Sequence, residues 1–172
     1  MNTVFYLSAF VAVIATVLVV TRVNAVHALL YFIVSLLSVA LIFFVLGAPF
    51  IAALEVIIYA GAIMVLFVFV IMLLNIGKEA AEKEEQLLSP QALTGAAALT
   101  TVLMGEFIYV LVKGGTEAAA VGIVGPKPVG ISLLTKYVIG VELASMLLLA
   151  GLVGAYHLGK RDGDRESKGR RT

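Results

Sequence analysis

Residues 54–74 of the chain read LEVIIYAGAIMVLFVFVIMLL. A helix needs about 20 predominantly apolar residues to cross a bilayer, and this stretch has that length. It nevertheless carries a carboxylate, Glu55, near its first end. A charged side chain at the centre of a membrane costs roughly 2.5–3.5 kcal/mol even on insertion scales, so such residues usually have a function. Glu55 is therefore a candidate functional residue.

The composition of the whole chain is that of an integral membrane protein. Of its 172 residues, 62% are apolar and only 13% are charged, and the mean hydropathy is +1.10. Soluble domains have about 45–50% apolar residues. The formal net charge is +1, so no overall field indicates nucleic acid as a partner. The lipid bilayer is the expected surrounding.

Five apolar stretches of about the length needed to cross a membrane follow one another. They cover residues 4–20, 28–46, 51–74, 92–112 and 137–156, and they are separated by polar, charged or Gly/Pro-rich segments, the last of which is 114–130. Backbone polar groups must be satisfied inside lipid, and the alternation of a barrel strand is absent. We expect an all-α bundle of five transmembrane helices over residues 1–159, followed by a disordered polar tail over 160–172.

The basic residues predict the orientation of this bundle. Nine of the twelve Lys and Arg residues lie in the first loop, the third loop or the C-terminal tail, and three lie on the other side. Basic residues are in excess on the cytoplasmic side of membrane proteins. The N-terminus is therefore expected outside and the C-terminus in the cytoplasm.

Three carboxylates lie inside the apolar stretches: Glu55, Glu106 and Glu142. With a rise of 1.5 Å per residue, each is expected about 6–9 Å below the outer boundary of the membrane. Since the stretches contain no Lys or Arg, these groups are protonated or meet partners elsewhere. They could hold neighbouring helices together by hydrogen bonds, or they could form a proton relay, because a desolvated carboxyl can exchange protons near neutral pH.

The third stretch also contains features that could alter its helix. Tyr59 lies four residues after Glu55, where its phenol could hydrogen-bond the carboxylate or pack as an aromatic ring. The small residues Ala60-Gly61-Ala62 could let a neighbouring helix approach closely. They could also host a π-bulge, which would rotate Met64 and Val65 to a different face.

Cofactor chemistry has little support in this chain. It contains no cysteine, so it cannot supply thiolates to an iron–sulfur cluster. His27 and His157 are expected at helix ends as interfacial anchors, and two histidines do not make a metal site. No cofactor or metal is therefore expected to bind to this chain.

Three segments carry a resemblance to a known family. They are residues 24–31 (NAVHALLY), residues 53–70 (ALEVIIYAGAIMVLFVFV) after Gly47-Ala48, and residues 141–150 (VELASMLLLA). In order and spacing they resemble the subunit J family of the bacterial proton-pumping NADH:quinone oxidoreductase, respiratory complex I. The match covers helices one to three and five, and Glu106 is not associated with the family pattern.

The resemblance implies a subunit of a translocase that couples electron transfer from NADH to quinone with proton translocation. It would lie in the bacterial cell inner membrane among other membrane subunits of complex I and would not function alone. FMN, iron–sulfur clusters and quinone would be bound by other subunits, so this chain would hold no complete active site. The proton path or gate would comprise Glu55, Tyr59, Gly61, Met64, Val65 and Glu142, with Glu106 as a polar residue of lower weight.

Two other functions remain open. The chain could belong to a multisubunit cation/proton antiporter. It could also be a purely structural packing subunit, in which the glutamates only join helices. A stand-alone transporter is less favoured, because the chain has no internal repeat and no pair of interrupted helices.

Overall fold

The computed structural model describes residues 2–22, 25–73, 90–117 and 122–160. All regular structure in these ranges is helical, and five helices are long and apolar enough to cross a membrane. The prediction of an all-α protein with five such helices is confirmed. The predicted orientation stays a prediction, and the predicted disordered tail lies outside the described residues except for Lys160.

The helices follow the chain in this order. Helix α1 spans Asn2–Thr21 and α2 spans Ala25–Val45. The third candidate span is built from α3 (Pro49–Leu54), a π-helical segment (Glu55–Ile63) and α4 (Met64–Leu73), which are continuous. Helix α5 spans Pro90–Glu117, the short α6 spans Pro126–Thr135, and α7 spans Val138–Gly159.

Helix α6 lies partly within the segment that the sequence indicates as a separator. It begins at Pro126, and proline is favoured in the first turn of a helix because its missing N–H needs no partner there. With ten residues it is too short to cross a bilayer, which requires about 20. Hydropathy over a membrane-sized window therefore does not predict it.

The described chain forms two compact units, one up to Gly125 and one from Pro126 onward. In the first unit, α1, α2 and α5 share an apolar core whose buried members are Val4, Val11, Ala15, Val34, Leu41, Leu103 and Val110. In the second unit, α6 packs on α7. Within this unit, none of the α7 residues is buried.

The turn between α2 and α3 fixes the start of the third span. Gly47 has φ of 83°, a conformation that glycine adopts at little cost after a helix C-terminus. The Ala48 N–H donates to the Phe43 carbonyl at 3.0 Å, and Pro49 begins α3. The Gly47 carbonyl in turn accepts a hydrogen bond of 3.0 Å from the Val124 N–H.

Tyr31 joins α2 to α5 at the other end of the first unit. Its side chain is 1% exposed, and the Arg22 guanidinium lies 5.5 Å from the centroid of its ring. The phenol oxygen lies directly over Gly95, so closely that a Cβ at this position would clash with it. Gly95 therefore allows the hydroxyl of Tyr31 to be packed against the α5 backbone.

We expect Gly95→Ala to destabilise the protein by about 1–3 kcal/mol, the usual range for inserting a methyl group into a packed core. The measurement is the thermal or denaturant unfolding of the purified membrane protein. Tyr31→Phe removes the phenol oxygen, and the next ring atom lies 3.4 Å from the Cβ position, which is ordinary contact. Gly95→Ala should therefore cost much less in a Tyr31→Phe background. Equal costs in the two backgrounds would contradict this explanation.

Candidate functional site

The third span departs from α-helical geometry over nine residues, Glu55–Ile63. At its start, the N–H of Glu55 points to the carbonyls of Ile51 and Ala52, four and three residues earlier. At its end, the N–H of Met64 points to the Tyr59 carbonyl, five residues earlier, and to the Gly61 carbonyl. Hydrogen bonds to the fifth preceding residue define the π-helix, a rare form that often occurs at functional sites.

Gly61 lies close to a backbone carbonyl of the π-helical segment. A Cβ on Gly61 would lie 3.2 Å from the Val56 carbonyl oxygen, which is tighter than most real contacts of a Cβ atom. Val56 precedes Gly61 by five residues, so it is the π-helical acceptor position and not the α-helical one. Glycine at this position therefore favours the π-helix over the α-helix.

The residues after the π-helical segment present two different faces. Met64 is 1% exposed and packs inside the chain, whereas the next residue, Val65, is 52% exposed. The rest of α4 is also largely exposed within this chain, as is Tyr59. Met64 thus anchors the segment, and its neighbours face lipid or other proteins.

Glu55 begins the π-helical segment and is half-buried. Among the described residues, none forms a hydrogen bond with its side chain, and Tyr59 is not bonded to it. Of the two roles that the sequence allows for Tyr59, a hydrogen bond to this carboxylate is therefore not formed within the described residues, and packing of its ring stays open.

Glu106 has a different environment from Glu55. It lies on α5 with 6% exposure, and its Oε2 accepts a hydrogen bond of 2.5 Å from the Ser8 hydroxyl of α1. Ser8 is fully buried and is missing from the sequence-based candidates. A single serine in an apolar stretch gives no sequence signal that it bonds a carboxyl group on another helix.

Glu142 lies on α7, in the second compact unit, and is exposed within this chain. Glu55 and Glu106 belong to the first unit. The described residues contain no group of three or more His, Asp or Glu side chains able to hold a metal ion.

A cavity of about 420 Å³ adjoins the start of the π-helical segment. It lies between α2, α3 and α5, and almost all of its surface is apolar. Its wall includes Leu37, Phe44, Ala52, Ala53, Val56, Leu103 and Phe107. The cavity thus reaches the π-helical segment at Val56, whose side chain is itself partly exposed.

Comparison with known proteins gives a consistent result. A family model described as NADH-ubiquinone/plastoquinone oxidoreductase chain 6 matches residues 15–158. The NADH-quinone oxidoreductase subunit J of Pseudomonas aeruginosa is 54% identical over 164 residues, which cover 94% of this chain and 98% of the relative. The protein of the same name from Escherichia coli K12 is 48% identical over 162 residues, which cover 94% and 88%.

A third relative named NADH-quinone oxidoreductase subunit J, from Buchnera aphidicola subsp. Schizaphis graminum, is 46% identical over 160 residues, with 93% of this chain and 98% of the relative covered. Each of these alignments covers at least 93% of this chain. Over nearly its whole length, the chain belongs to the NADH-ubiquinone/plastoquinone oxidoreductase chain 6 family.

Proposed function

We propose that this chain is the J-type membrane subunit of a bacterial proton-pumping NADH:quinone oxidoreductase, and that its π-helical segment gates a proton path. Family membership supports the first part. The observation that carries the second part is the π-helix over Glu55–Ile63 in the middle of a 25-residue apolar span. The gate would comprise Glu55, Tyr59, Gly61, Met64, Val65 and Glu142.

The gate would work through a change of backbone register. When the π-helical segment converts to an α-helix, its backbone hydrogen bonds shift by one residue. A shift of one residue rotates the helix beyond the segment by about 100°. Such a rotation would turn Met64 out of its buried position and would bring an exposed neighbour such as Val65 inward. The side chain of Met64 or Val65 would thus enter or leave the space between the π-helical segment and the rest of the bundle.

The polar residues would supply the proton-carrying groups of this path. Glu55 is half-buried at the first turn of the π-helical segment, where a rearrangement of the backbone changes its surroundings directly. Tyr59 and Glu142 are exposed within this chain, so they are available to water or to polar groups of neighbouring subunits. Protons would move between these groups through water molecules when the segment is in its open form.

Electron transfer would belong to other subunits. The chain has no cysteine, the residue that holds iron–sulfur clusters, and we propose that FMN, the clusters and quinone are bound elsewhere in the complex. The exposed apolar surfaces of α4 and α7 support burial against other membrane subunits and lipid of the bacterial inner membrane. The role of this chain is then to couple and not to catalyse.

We expect Gly61→Ala to shift the segment toward the α-helical form. The added Cβ would press on the Val56 carbonyl in the π-helix, and alanine is also favoured over glycine in an α-helix by about 1 kcal/mol. In assembled complexes, quinone-linked proton pumping should fall by several-fold. NADH oxidation by an artificial electron acceptor should be retained.

The matched control is Gly105→Ala on α5, because a Cβ at Gly105 has no neighbour within 4 Å in this chain. This variant should assemble and pump normally. If Gly61→Ala complexes pumped as well as the control, the gate would be rejected and the purely structural role would be favoured.

The proposed proton relay predicts that Glu55→Gln impairs pumping without impairing assembly. Glutamine keeps the size and hydrogen-bonding capacity of the side chain but cannot release a proton. Proton uptake by membrane vesicles, measured per quinone reduced, is the appropriate readout. Unchanged pumping in fully assembled Glu55→Gln complexes would exclude Glu55 from the path.

A further inference from the structure

A buried polar contact joins α1 to α5 away from the π-helical segment. The Ser8 hydroxyl donates to Oε2 of Glu106, and both residues lie in the core that α1, α2 and α5 share. Ser8 is 0% and Glu106 6% exposed. The contact is therefore shielded from lipid and from water by this chain itself.

The second carboxyl oxygen of Glu106 is unusual among the buried polar atoms that the structure describes. Oε1 has no accessible surface and no hydrogen-bond partner. Two buried hydroxyls of α2 are satisfied: Ser38 donates to the Val34 carbonyl at 2.8 Å, and Ser35 bonds Thr16 of α1 at 2.9 Å. Leaving a buried polar group without a partner is costly, particularly for a carboxylate.

Oε1 has less than 1 Å² of accessible surface because residues of this chain cover it. A group of another subunit would reach it only if those residues moved, so a small internal partner fits this position better. An ionised carboxylate accepts hydrogen bonds only, whereas a neutral carboxyl has one O–H to donate. A water molecule can both accept from this O–H and donate to nearby acceptors, and buried waters typically satisfy such groups.

We propose that Glu106 is a neutral carboxylic acid that binds one internal water molecule through Oε1 and, together with Ser8, forms a polar tie between α1 and α5. The Ser8 hydroxyl donates to Oε2, and the acid O–H donates to the water. The tie holds α1 in register on α5. It is separate from the proposed path at Glu55 and does not depend on it.

The energetic test is a double-mutant cycle in the assembled complex. Ser8→Ala leaves Oε2 without its donor, so the half-life of the complex at elevated temperature should fall by roughly tenfold, the equivalent of one lost partner of a buried group. The control is Ser38→Ala, since Ser38 is equally buried but bonds only its own helix, and it should have little effect. Ser8→Ala combined with Glu106→Met leaves no polar group and should recover most of the loss.

Two results would overturn the tie. One is a Ser8→Ala half-life no shorter than that of the Ser38→Ala control. The other is a double variant no more stable than Ser8→Ala alone, because an apolar pair should replace a polar pair at little cost. Either result would mean that the contact does not hold the two helices together.

Infrared spectroscopy of the purified complex tests the protonation state. The wild type should have the C=O stretch of a protonated carboxylic acid, sensitive to deuterium exchange and absent from Glu106→Gln. Carboxylate bands that disappear in this variant would overturn the neutral acid. A map of the complex that resolves water should contain density about 2.5–3.0 Å from Oε1, and an empty position there would overturn the water site.

Glu106→Gln also separates a tie from a proton relay. Its amide oxygen can accept from Ser8 and its amide N–H can donate to the water, so assembly and quinone-linked pumping should stay close to those of the wild type. Loss of pumping in an assembled Glu106→Gln complex would make Glu106 a relay and overturn the proposal. The outcomes for Gly61 and Glu55 would be unaffected in either case.

Discussion

The backbone hydrogen bonds of the third span are the constraint on which the rest of the structure depends. Inside lipid no water can replace a lost bond, so each N–H must keep an acceptor within its own segment. A π-helix meets this requirement by using the fifth preceding carbonyl in place of the fourth. The span can therefore contain a widened turn over Glu55–Ile63 and still satisfy its backbone.

The same constraint explains why so few residues define the segment. A wider turn brings the carbonyl of Val56 close to residue 61, where a Cβ would make a tight contact of 3.2 Å with its oxygen and glycine makes none. The missing side chain of Gly61 therefore matters for the backbone, as does the side chain of Met64, which packs inside the chain three residues later. Gly61 allows the π-helical register, and Met64 fixes the end of the segment in the core.

The sequence was sufficient to predict the five spans, because each combines membrane-sized length with high hydropathy. It also indicated the place of the helix irregularity, since Ala60-Gly61-Ala62 removes side-chain bulk for a full turn. It could not predict the partner of Glu106. That contact depends on which face of α5 meets α1, and both helices are apolar on most faces, so their hydropathy contains little directional information. Nor could the sequence choose between a hydrogen bond from Tyr59 to Glu55 and packing of the aromatic ring, because the same spacing allows both.

The turn at Gly47 has a mechanical consequence for the third span. Its carbonyl is bonded to Val124, and the bond from Ala48 to Phe43 joins the turn to α2, so the span is clamped at its first end. Torsion generated in the middle of a rod that is clamped at one end is delivered to the other. Any change in helical register between Glu55 and Ile63 would therefore leave α3 in place and rotate α4 about its own axis.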